Sequence, residues 1–518
     1  MRLLSRLLVV IAICLAAIAL PETPAQAQDT YIMVSPNSGV PGEEVTVYGY
    51  NFTHDEWVDI YYYLNGHNTW VAEDLTDEST GNFRVTFTVP ESYTGPHDVL
   101  AEDEFVSDYD IFTVKPGLTV SPEEGAVGTT VTVEGHGFAE DEENIELRYY
   151  FNGDYETIDD DITADDDGWW ELSFQIPPSA QGHHDLDAGG DDSSFAKVED
   201  ADFEVTPGIS INKSSGSPGN NITMTGSGFA VDERDITILF DEEEVVTEIR
   251  ADETGYWQED FQVPERPKGE YSVTAEGERT QDTNELSFEV EPGLVLSPGE
   301  GHVGMNLTVA GRGFAADEDV DVIYEVSLVA TTETNENGSF DVSFPAPESR
   351  HGARLVTAEH AAENEATAIF TMESDPPDTP ELISPPDGGR AGFIGKVRPT
   401  FEWSGVSDAS GVYYSLQIAT SANVTATGEF VGEPVFSVEG LVGTNYTMEE
   451  TEALPYGTYY WIVQAVDGAE NESGWTEARS FRAGLLPLWA FIVIIVAIAG
   501  GIGALVYFFI IRRRIYYY

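Results

Sequence analysis

Cysteine is nearly absent from this chain, since Cys14 is the single cysteine among 518 residues. One thiol cannot form an internal disulfide, so the folded parts of the protein must be held together by core packing alone. The same scarcity excludes cysteine zinc sites. Cys14 also lies in an apolar N-terminal segment that is expected to be removed, which leaves no thiol nucleophile.

Basic residues are also scarce, because 23 lysines and arginines accompany 93 aspartates and glutamates, for a formal net charge of -70. This charge argues against nucleic acid and anionic membrane surfaces as partners. It does not predict disorder, since 41% of the residues are hydrophobic. Two interpretations stay open. We favour a solvated surface suited to saline surroundings over weak Ca²⁺ sites formed by clustered carboxylates.

Catalytic motifs are missing as well. The nine histidines include no His-Glu-x-x-His spacing, and neither a Gly-x-Ser-x-Gly elbow nor a phosphate-binding glycine loop occurs. His183 and His184, followed by Asp185 and Asp187, are better explained as a solvated loop than as a metal site, since no third-ligand motif is evident. We therefore predict a protein that is not an enzyme and has no catalytic or cofactor-binding residues.

The first residues have the pattern of a secretory signal. Arg2 and Arg6 precede an apolar core at Leu7–Leu20, and Ala25-Gln26-Ala27 supplies a small-residue cleavage site. The core is too short to span a bilayer comfortably. We therefore predict a signal peptide over residues 1–27 and an exported protein.

The C-terminal region has the pattern of a membrane anchor. Residues 485–511 are predicted to form a transmembrane helix, since an uncharged apolar run of this length exceeds a hydrocarbon core of about 30 Å. Three arginines, Arg512–Arg514, follow at once, and basic residues beside a span stay in the cytoplasm. The prediction is a single-pass cell-membrane protein with its N-terminus outside and residues 512–518 as a cytoplasmic tail.

One sequence pattern occurs four times between these ends. Each copy begins with a segment such as Val34-Ser35-Pro36 through Gly39, continues with a strand such as Val45-Thr46-Val47, and reaches a phenylalanine after a glycine-containing step. A turn that ends in glycine then precedes a second aromatic residue, which is Phe83, Trp169, Trp257 or Phe340. A repeat of about 85 to 90 residues with period-2 alternation indicates whole β-sandwich domains. The repeated phenylalanines are Phe52, Phe138, Phe229 and Phe314.

The Ser-Pro-x-x-Gly start, the Val-Thr-Val strand and the Gly-x-Gly-Phe step resemble IPT/TIG domains, which have immunoglobulin-like folds. The third copy departs from this pattern, because Ile211-Asn212 stands where the others have proline. The resemblance implies the fold and suggests a prokaryotic cell-surface protein. It leaves function open, since the family serves adhesion, receptor and enzyme-accessory roles. The four predicted domains are residues 28–115, 116–206, 207–291 and 292–373.

A different domain is predicted at residues 374–483, after a proline-rich hinge. Trp403 ends a strand as a candidate core residue, and a long strand places Tyr459 and Trp461 on one face. This arrangement resembles a fibronectin type III domain. The resemblance implies that Tyr459 forms the tyrosine corner of such domains.

An acidic pair recurs after each repeated phenylalanine. One interpretation is calcium bound at the domain edges, which would stiffen the chain of domains. The other, which we favour, is a solvated turn that starts a strand. The pairs are Asp55 and Glu56, Asp141 and Glu142, Asp232 and Glu233, and Asp317 and Glu318.

The predicted fold class is all-β, with tandem immunoglobulin-like sandwiches in a rod and one C-terminal transmembrane α-helix. Short, proline-containing joints between the copies favour a semi-rigid rod. The expected function is cell-surface adhesion or envelope structure without catalysis. The alternative is a carbohydrate-binding surface protein that recognises cell-wall or environmental glycans. Besides the membrane, the expected partner is an unidentified extracellular protein or glycan.

The first predicted domain is unusually rich in aromatic residues. Because side chains alternate along strands, some of these residues must be core and the others must face outward. Outward rings could stack on sugars or peptides. The residues concerned are Tyr50, Trp57, Tyr61, Tyr62, Tyr63 and Trp70.

Overall fold

The computed structural model describes residues 29–360 and 364–511, which are built mainly of β-strands. The predicted signal peptide and cytoplasmic tail lie outside the described residues. The described strands fall into five groups of eight, and each group forms one three-stranded and one five-stranded sheet. This pairing of sheets confirms the prediction of repeated immunoglobulin-like sandwiches.

The strand bounds of the first three sandwiches are as follows. The first contains β1 (Tyr31–Ser35), β2 (Ser38–Gly39), β3 (Glu44–Tyr50), β4 (Trp57–Leu64), β5 (His67–Leu75), β6 (Phe83–Thr88), β7 (Gly95–Glu102) and β8 (Ser107–Val114). The second contains β9 (Gly117–Ser121), β10 (Glu124–Gly125), β11 (Thr130–His136), β12 (Ile145–Phe151), β13 (Asp154–Ile162), β14 (Trp170–Gln175), β15 (Gly182–Gly189) and β16 (Ala201–Val205). The third contains β17 (Gly208–Ile211), β18 (Ser215–Gly216), β19 (Asn221–Ser227), β20 (Ile236–Phe240), β21 (Glu243–Ile249), β22 (Trp257–Gln262), β23 (Gly269–Glu276) and β24 (Leu286–Val290).

The last two sandwiches repeat the pattern. The fourth contains β25 (Gly293–Ser297), β26 (Glu300–Gly301), β27 (Asn306–Arg312), β28 (Asp319–Tyr324), β29 (Ser327–Glu333), β30 (Phe340–Pro345), β31 (Gly352–Glu359) and β32 (Glu365–Met372). The fifth contains β33 (Leu382–Ser384), β34 (Gly389–Ala391), β35 (Thr400–Trp403), β36 (Val412–Ala419), β37 (Phe436–Leu441), β38 (Asn445–Thr447), β39 (Gly457–Asp467) and β40 (Arg479–Ala483).

All five sandwiches share one strand order. In the first, the small sheet runs β1-β3-β6 and the large sheet runs β2-β8-β7-β4-β5. The chain changes sheets between β1 and β2, so β1 pairs antiparallel with β3 while β2 pairs parallel with β8. A cis peptide bond occurs at this change of sheet in the four sandwiches with Ser-Pro there: Ser35-Pro36, Ser121-Pro122, Ser297-Pro298 and Ser384-Pro385.

The repeated phenylalanines are the centres of the four similar cores. Phe138 is fully buried and packs edge-to-face on Trp170, with ring centroids 5.5 Å apart. In this copy the inward aromatic residue is Trp170 rather than Trp169, the repeated aromatic named from the sequence, because β14 begins at Trp170 and turns that ring inward. A Cβ on Gly135 would overlap the Trp170 indole, which explains the glycine two residues before Gly137.

The fibronectin-like features of the fifth sandwich are also present. Trp403 is 1% exposed, and Tyr459 and Trp461 face the same core from β39. The Tyr459 hydroxyl donates to the Pro455 carbonyl at 3.2 Å, as the predicted tyrosine corner requires.

By its internal contacts the chain divides into two compact units, and the division passes through the third sandwich. Among the described residues, one unit holds residues 29–212, Thr223–Phe261 and Ser272–Leu286. The other holds Lys213–Ile222, Gln262–Tyr271 and the described residues from Ser287 onward.

An apolar helix follows the fifth sandwich. Helix α1 (Leu488–Val506) continues into a π-helical turn at Tyr507–Ile511. The 23 residues Leu488–Ile510 are long and apolar enough to cross a membrane. No residue of helix α1 is buried against the rest of the described protein. The predicted apolar helix is thus present and starts three residues later than expected.

Candidate functional site

The structure separates the aromatic residues of the first sandwich into core and surface. Tyr62 is fully buried, and its hydroxyl lies 3.0 Å from Ser92 Oγ. Tyr50, on the small sheet, stacks on Tyr31 with ring centroids 4.7 Å apart. Trp57 and Tyr63, in contrast, are 60% and 44% exposed on the outer face of the large sheet.

Four apolar side chains form a continuous row across that outer face, which we call the aromatic row: Tyr109, Leu100, Tyr61 and Trp70. Tyr109 pairs with Leu100, Leu100 pairs with Tyr61, and Tyr61 pairs with Trp70, on β8, β7, β4 and β5 respectively. The outer members, Tyr109 and Trp70, are 61% and 54% exposed. Contiguous exposed apolar side chains mark interaction surfaces, whereas singly scattered ones need no explanation.

A β-bulge turns Trp70 into this row. The register between β4 and β5 shifts between Ile60 and Tyr61, so that one extra residue of β5 is accommodated. Strict alternation would place Trp70 on the same side as Ala72, which is 8% exposed and faces the core. The Trp70 indole N–H instead donates to Asp59 Oδ1 at 3.1 Å on the outer face.

Carboxylates border the aromatic row. On one side of the row, Glu102 and Asp59 form the next outward-facing cross-strand pair. On the other side of the row, Asp98 pairs with Ile111. The five described strands of this sheet contain no lysine or arginine. The face therefore combines flat apolar rings with hydrogen-bond acceptors and negative charge.

The second sandwich has a polar row at the same positions. Arg148, which precedes buried Tyr149 as Tyr61 precedes Tyr62, pairs with Asp187 and Thr157. The Arg148 guanidinium lies 3.8 Å from the Phe195 ring centroid and forms an ion pair with Glu146 at 2.7 Å. The aromatic row therefore belongs to the first sandwich and is not a property of the fold.

Two carboxyls share the end of this polar row. Burial, together with the neighbouring Asp200 carboxyl, raises the pKa of Asp187 to about 7. Like charges held this close favour a shared proton.

The predicted calcium residues lie at turns, and the four pairs are not equivalent. Asp55, Asp141, Asp232 and Asp317 all adopt positive φ, between 50° and 56°. Glu142 and Glu233 are buried, whereas Glu318 is exposed and Glu56 is half-buried. Among the described residues, no group of three or more possible metal ligands within 4.8 Å includes any of the eight.

The buried glutamates fasten the loop before the last strand of their sandwich. Glu142 Oε1 accepts from the backbone N–H groups of Asp192 and Ser193 at 2.9 and 2.8 Å, and Oε2 accepts from Ala139 N–H at 3.1 Å. Burial by itself would raise the pKa of Glu233, but hydrogen bonds from Thr280 and neighbouring backbone outweigh it and lower that pKa.

In the first sandwich the same two loops are joined by a carboxylate of the loop before the last strand, rather than by one of the turn after the repeated phenylalanine. Asp103, which is 7% exposed, accepts from Thr53 N–H at 2.9 Å and from Phe105 and Val106 N–H at 2.7 and 2.8 Å. Burial opposes ionisation of Asp103, yet these hydrogen bonds hold its pKa below the ordinary value. In the fourth sandwich Asn364 Oδ1 accepts from Ala315 N–H at 3.2 Å.

The histidines of the second sandwich lie in strand β15, so the prediction of a solvated loop was wrong. His184 is 8% exposed, and its ring nitrogens lie 3.0 Å from the Tyr150 carbonyl and 2.7 Å from the Ala180 carbonyl. His183 Nδ1 lies 2.7 Å from Asp202 Oδ2 at an exposed position. These partners agree with a structural role for both residues.

One carboxylate cluster was not predicted. Glu373, Asp408 and Asp467 bring one oxygen each within 4.8 Å of one another where the fourth and fifth sandwiches meet. Asp467 is 2% exposed, and Asn471 Nδ2 donates to Asp467 Oδ2 at 2.9 Å and to Glu373 Oε2 at 3.3 Å. These oxygens could hold a divalent cation such as Ca²⁺. No sequence spacing revealed the cluster, because its members come from three separate segments.

Comparison with known proteins gives one family match. Residues 208–290, which form the third sandwich, match the IPT/TIG domain. This is the copy whose start departs from the repeated pattern. No curated protein sequence matches the chain.

Solved structures resemble the chain in fold. A tetra-tandem repeat from the extending region of a large adhesion protein is 15% identical, covers 67% of this chain and all of its own, and has a TM-score of 0.19. The eight N-terminal Ig domains of Down Syndrome Cell Adhesion Molecule are 12% identical, cover 88% of this chain and 60% of their own, and have a TM-score of 0.17.

A Bacteroides ovatus glucan-locus protein, SGBP-B in complex with a mixed-linkage heptasaccharide, is 12% identical over 56% of this chain and 82% of its own, with a TM-score of 0.20. Likenesses at this level carry no argument about ligand or activity.

Proposed function

We propose that this chain is a membrane-anchored, non-catalytic extracellular protein that acts in cell-surface adhesion or envelope structure. The observation that carries the proposal is the aromatic row on the first sandwich. Exposed, flat aromatic side chains supply much of the binding energy in protein interfaces. Here they occupy the sandwich that is most distant along the chain from the apolar helix.

The remaining features support the placement of that sandwich outside the cell. The apolar helix is suited to a single-pass anchor, and Arg512–Arg514 beside it favour a cytoplasmic C-terminus. Only two residues separate consecutive strands at the first three joints, as at Lys115 and Pro116 between β8 and β9. Such joints support the predicted rod, and the acidic composition supports exposure to salty surroundings.

Retention on native envelope material tests the proposal. Liposomes that carry the full-length protein should be retained, and Tyr61→Ser with Trp70→Thr should reduce retention by roughly tenfold or more. Tyr256→Ser, at a 42% exposed tyrosine of the third sandwich, is the matched control. Equal retention of the wild type and the row variant would contradict a role for the aromatic row.

The second candidate function is glycan binding. The carboxylates Asp59, Asp98 and Glu102 beside the aromatic row supply acceptors for sugar hydroxyls, while the rings supply flat apolar surface. A glycan array probed with the full-length protein separates the two functions. A signal that the Trp70→Thr variant loses would favour the glycan, and protein capture without any glycan signal would favour adhesion to protein.

Calcium stays a proposal, and the cluster of Glu373, Asp408 and Asp467 is where the described residues favour it. Thermal unfolding of the full-length protein should shift upward with calcium relative to a chelator. Asp467→Asn should remove most of that shift, whereas Glu56→Gln should preserve it. Equal midpoints with calcium and with the chelator would contradict calcium binding.

A further inference from the structure

A groove of about 690 Å³ lies along the fifth sandwich. Its lining comes from the outer face of β36 and β39, from the neighbouring loops, and from residues of the fourth sandwich such as Glu348. The Tyr413 hydroxyl donates to Glu348 Oε1 at 2.8 Å, so the two sandwiches meet at the groove. The volume is in the range of small-ligand sites.

The floor of the groove is polar and deeply set. Ser415, Gln417 and Gln464 lie on the outer face of the sheet, yet they are only 9%, 7% and 7% exposed. An additional small apolar cluster, in which Phe430 packs with Ile462, covers part of this face. The floor is therefore a recess formed by the fold.

Gln417 has an unused acceptor at this floor. Its Nε2 donates to Glu429 Oε1 at 3.2 Å, which sets the orientation of the amide, because the reverse orientation would oppose two oxygens. Its Oε1 is buried and has no hydrogen-bond partner among the described residues. Buried amide oxygens are nearly always paired, so a donor is expected beside it.

Most of the charged groups in the groove are acceptors too. The lining carries one basic residue, Arg350. The amide nitrogen of Gln464 already donates to Glu472 and to the Ser473 carbonyl. Trp475, also in the lining, offers an aromatic surface that a cation can contact. The acidic lining residues are Glu348, Glu429, Glu439, Asp467, Glu470 and Glu472.

We propose that this groove binds a basic side chain, arginine or lysine, from a segment of a partner protein. The groove offers acceptors, negative charge and an aromatic wall, and such a side chain offers donors, positive charge and an apolar stem. The planar guanidinium of arginine can satisfy Gln417 Oε1 and a neighbouring carboxylate together. The inference does not depend on the aromatic row, which lies on a different sandwich.

Calorimetric titration of the full-length protein in detergent micelles tests the proposal. Nα-acetyl-L-arginine amide should bind saturably and at least about tenfold more tightly than its neutral isostere, Nα-acetyl-L-citrulline amide. Gln417→Leu should abolish the difference. Glu472→Gln, at an exposed position of the lining, should weaken arginine binding without disturbing the fold.

Glu73→Gln, which removes the same charge from an exposed position of the first sandwich, is the control and should leave binding unchanged. Equal binding of the arginine and citrulline probes would overturn the proposal. Equal weakening by Glu472→Gln and Glu73→Gln would also overturn it, since that outcome indicates only attraction to an acidic protein. Binding of a neutral oligosaccharide that requires Gln417, without arginine binding, would reassign the groove to glycans.

Discussion

In the first sandwich Tyr61 lies between Leu100 and Trp70 on the outer face of the large sheet, whereas in the second sandwich Arg148 takes that position between Asp187 and Thr157. The strand order is the same in both, although the hairpin register shifts once in the first sandwich and twice in the second. The fold therefore supplies a set of outward positions, and the sequence of each copy decides their chemistry. The apolar version suits contact with a partner, and the polar version is covered by its own loop through Phe195.

The largest expected effect concerns what the two sandwiches share. Phe52→Ala and Phe138→Ala each remove a ring that is at most 2% exposed, and each should cost about 3–5 kcal/mol of its own sandwich's unfolding free energy. Hydrogen exchange of the full-length protein, resolved by peptide, assigns each loss to its sandwich. If only one of the two substitutions destabilised its own sandwich strongly, the two cores would not be equivalent.

The next effect separates the two ways of fastening the loop before the last strand. Glu142→Gln in the second sandwich should cost about 1–3 kcal/mol of unfolding free energy. The two carboxylate oxygens accept from three backbone N–H groups, and the substitution replaces one of these oxygens with an amide nitrogen, which cannot accept. Glu56→Gln in the first should change stability by less than about 0.5 kcal/mol. Exchange protection of the two loops measures both. Similar losses would mean that Glu56 has the role here assigned to Asp103.

The two sandwiches should also respond to pH in opposite directions. The pKa of Asp103 is lowered in the folded state, so its contribution is present above its unfolded pKa and is lost on acidification below about pH 4. The pKa of Asp187 is raised to about 7, so its contribution is present below its unfolded pKa and is lost as the pH rises toward 7.

Acidification from pH 7 to pH 5 should therefore stabilise the second sandwich, by on the order of 1 kcal/mol after allowance for solvent screening at this partly exposed pair. The Asp187→Asn variant should lose this dependence, while Asp160→Asn, at an exposed position elsewhere in the same sandwich, should keep it. Exchange protection across this pH range is the measurement. A second sandwich that weakens steadily on acidification would contradict the shared proton.

The smallest effect on stability is expected at the aromatic row. Trp70→Thr, which installs the residue that the second sandwich has at this position, should change the unfolding free energy by less than about 0.5 kcal/mol, because the ring is 54% exposed. Thermal unfolding checks this, with Tyr256→Ser as the control. A loss above about 1 kcal/mol would make Trp70 a structural residue.

Sequence patterns predicted the sandwiches because a half-buried strand must alternate between apolar and polar residues. Val45 and Val47 are fully buried, as that alternation requires. The apolar helix was equally predictable, since its length and composition are sufficient signals. Local periodicity cannot place a bulge, and therefore it did not show on which face Trp70 lies.

Long-range contacts could not be predicted from sequence patterns for a related reason. Glu142 and Glu56 stand in the same motif, yet only Glu142 is fully buried, because a different residue, Asp103, binds the turn in the first sandwich. Likewise, Asp408 and Asp467 are far apart in the chain and meet only when the loops of the fifth sandwich fold together.

By itself the sequence determined that this protein is a series of disulfide-free, acidic β-sandwiches followed by an apolar helix, because composition and short-range periodicity carry that information. The tertiary structure alone decided which aromatic rings form a surface row and which glutamates are buried. It also decided that the Gln417 Oε1 atom lies without a hydrogen-bond partner on the floor of a groove, among the described residues. Those facts depend on register and on loops that meet across sheets, where residues distant in the chain become neighbours.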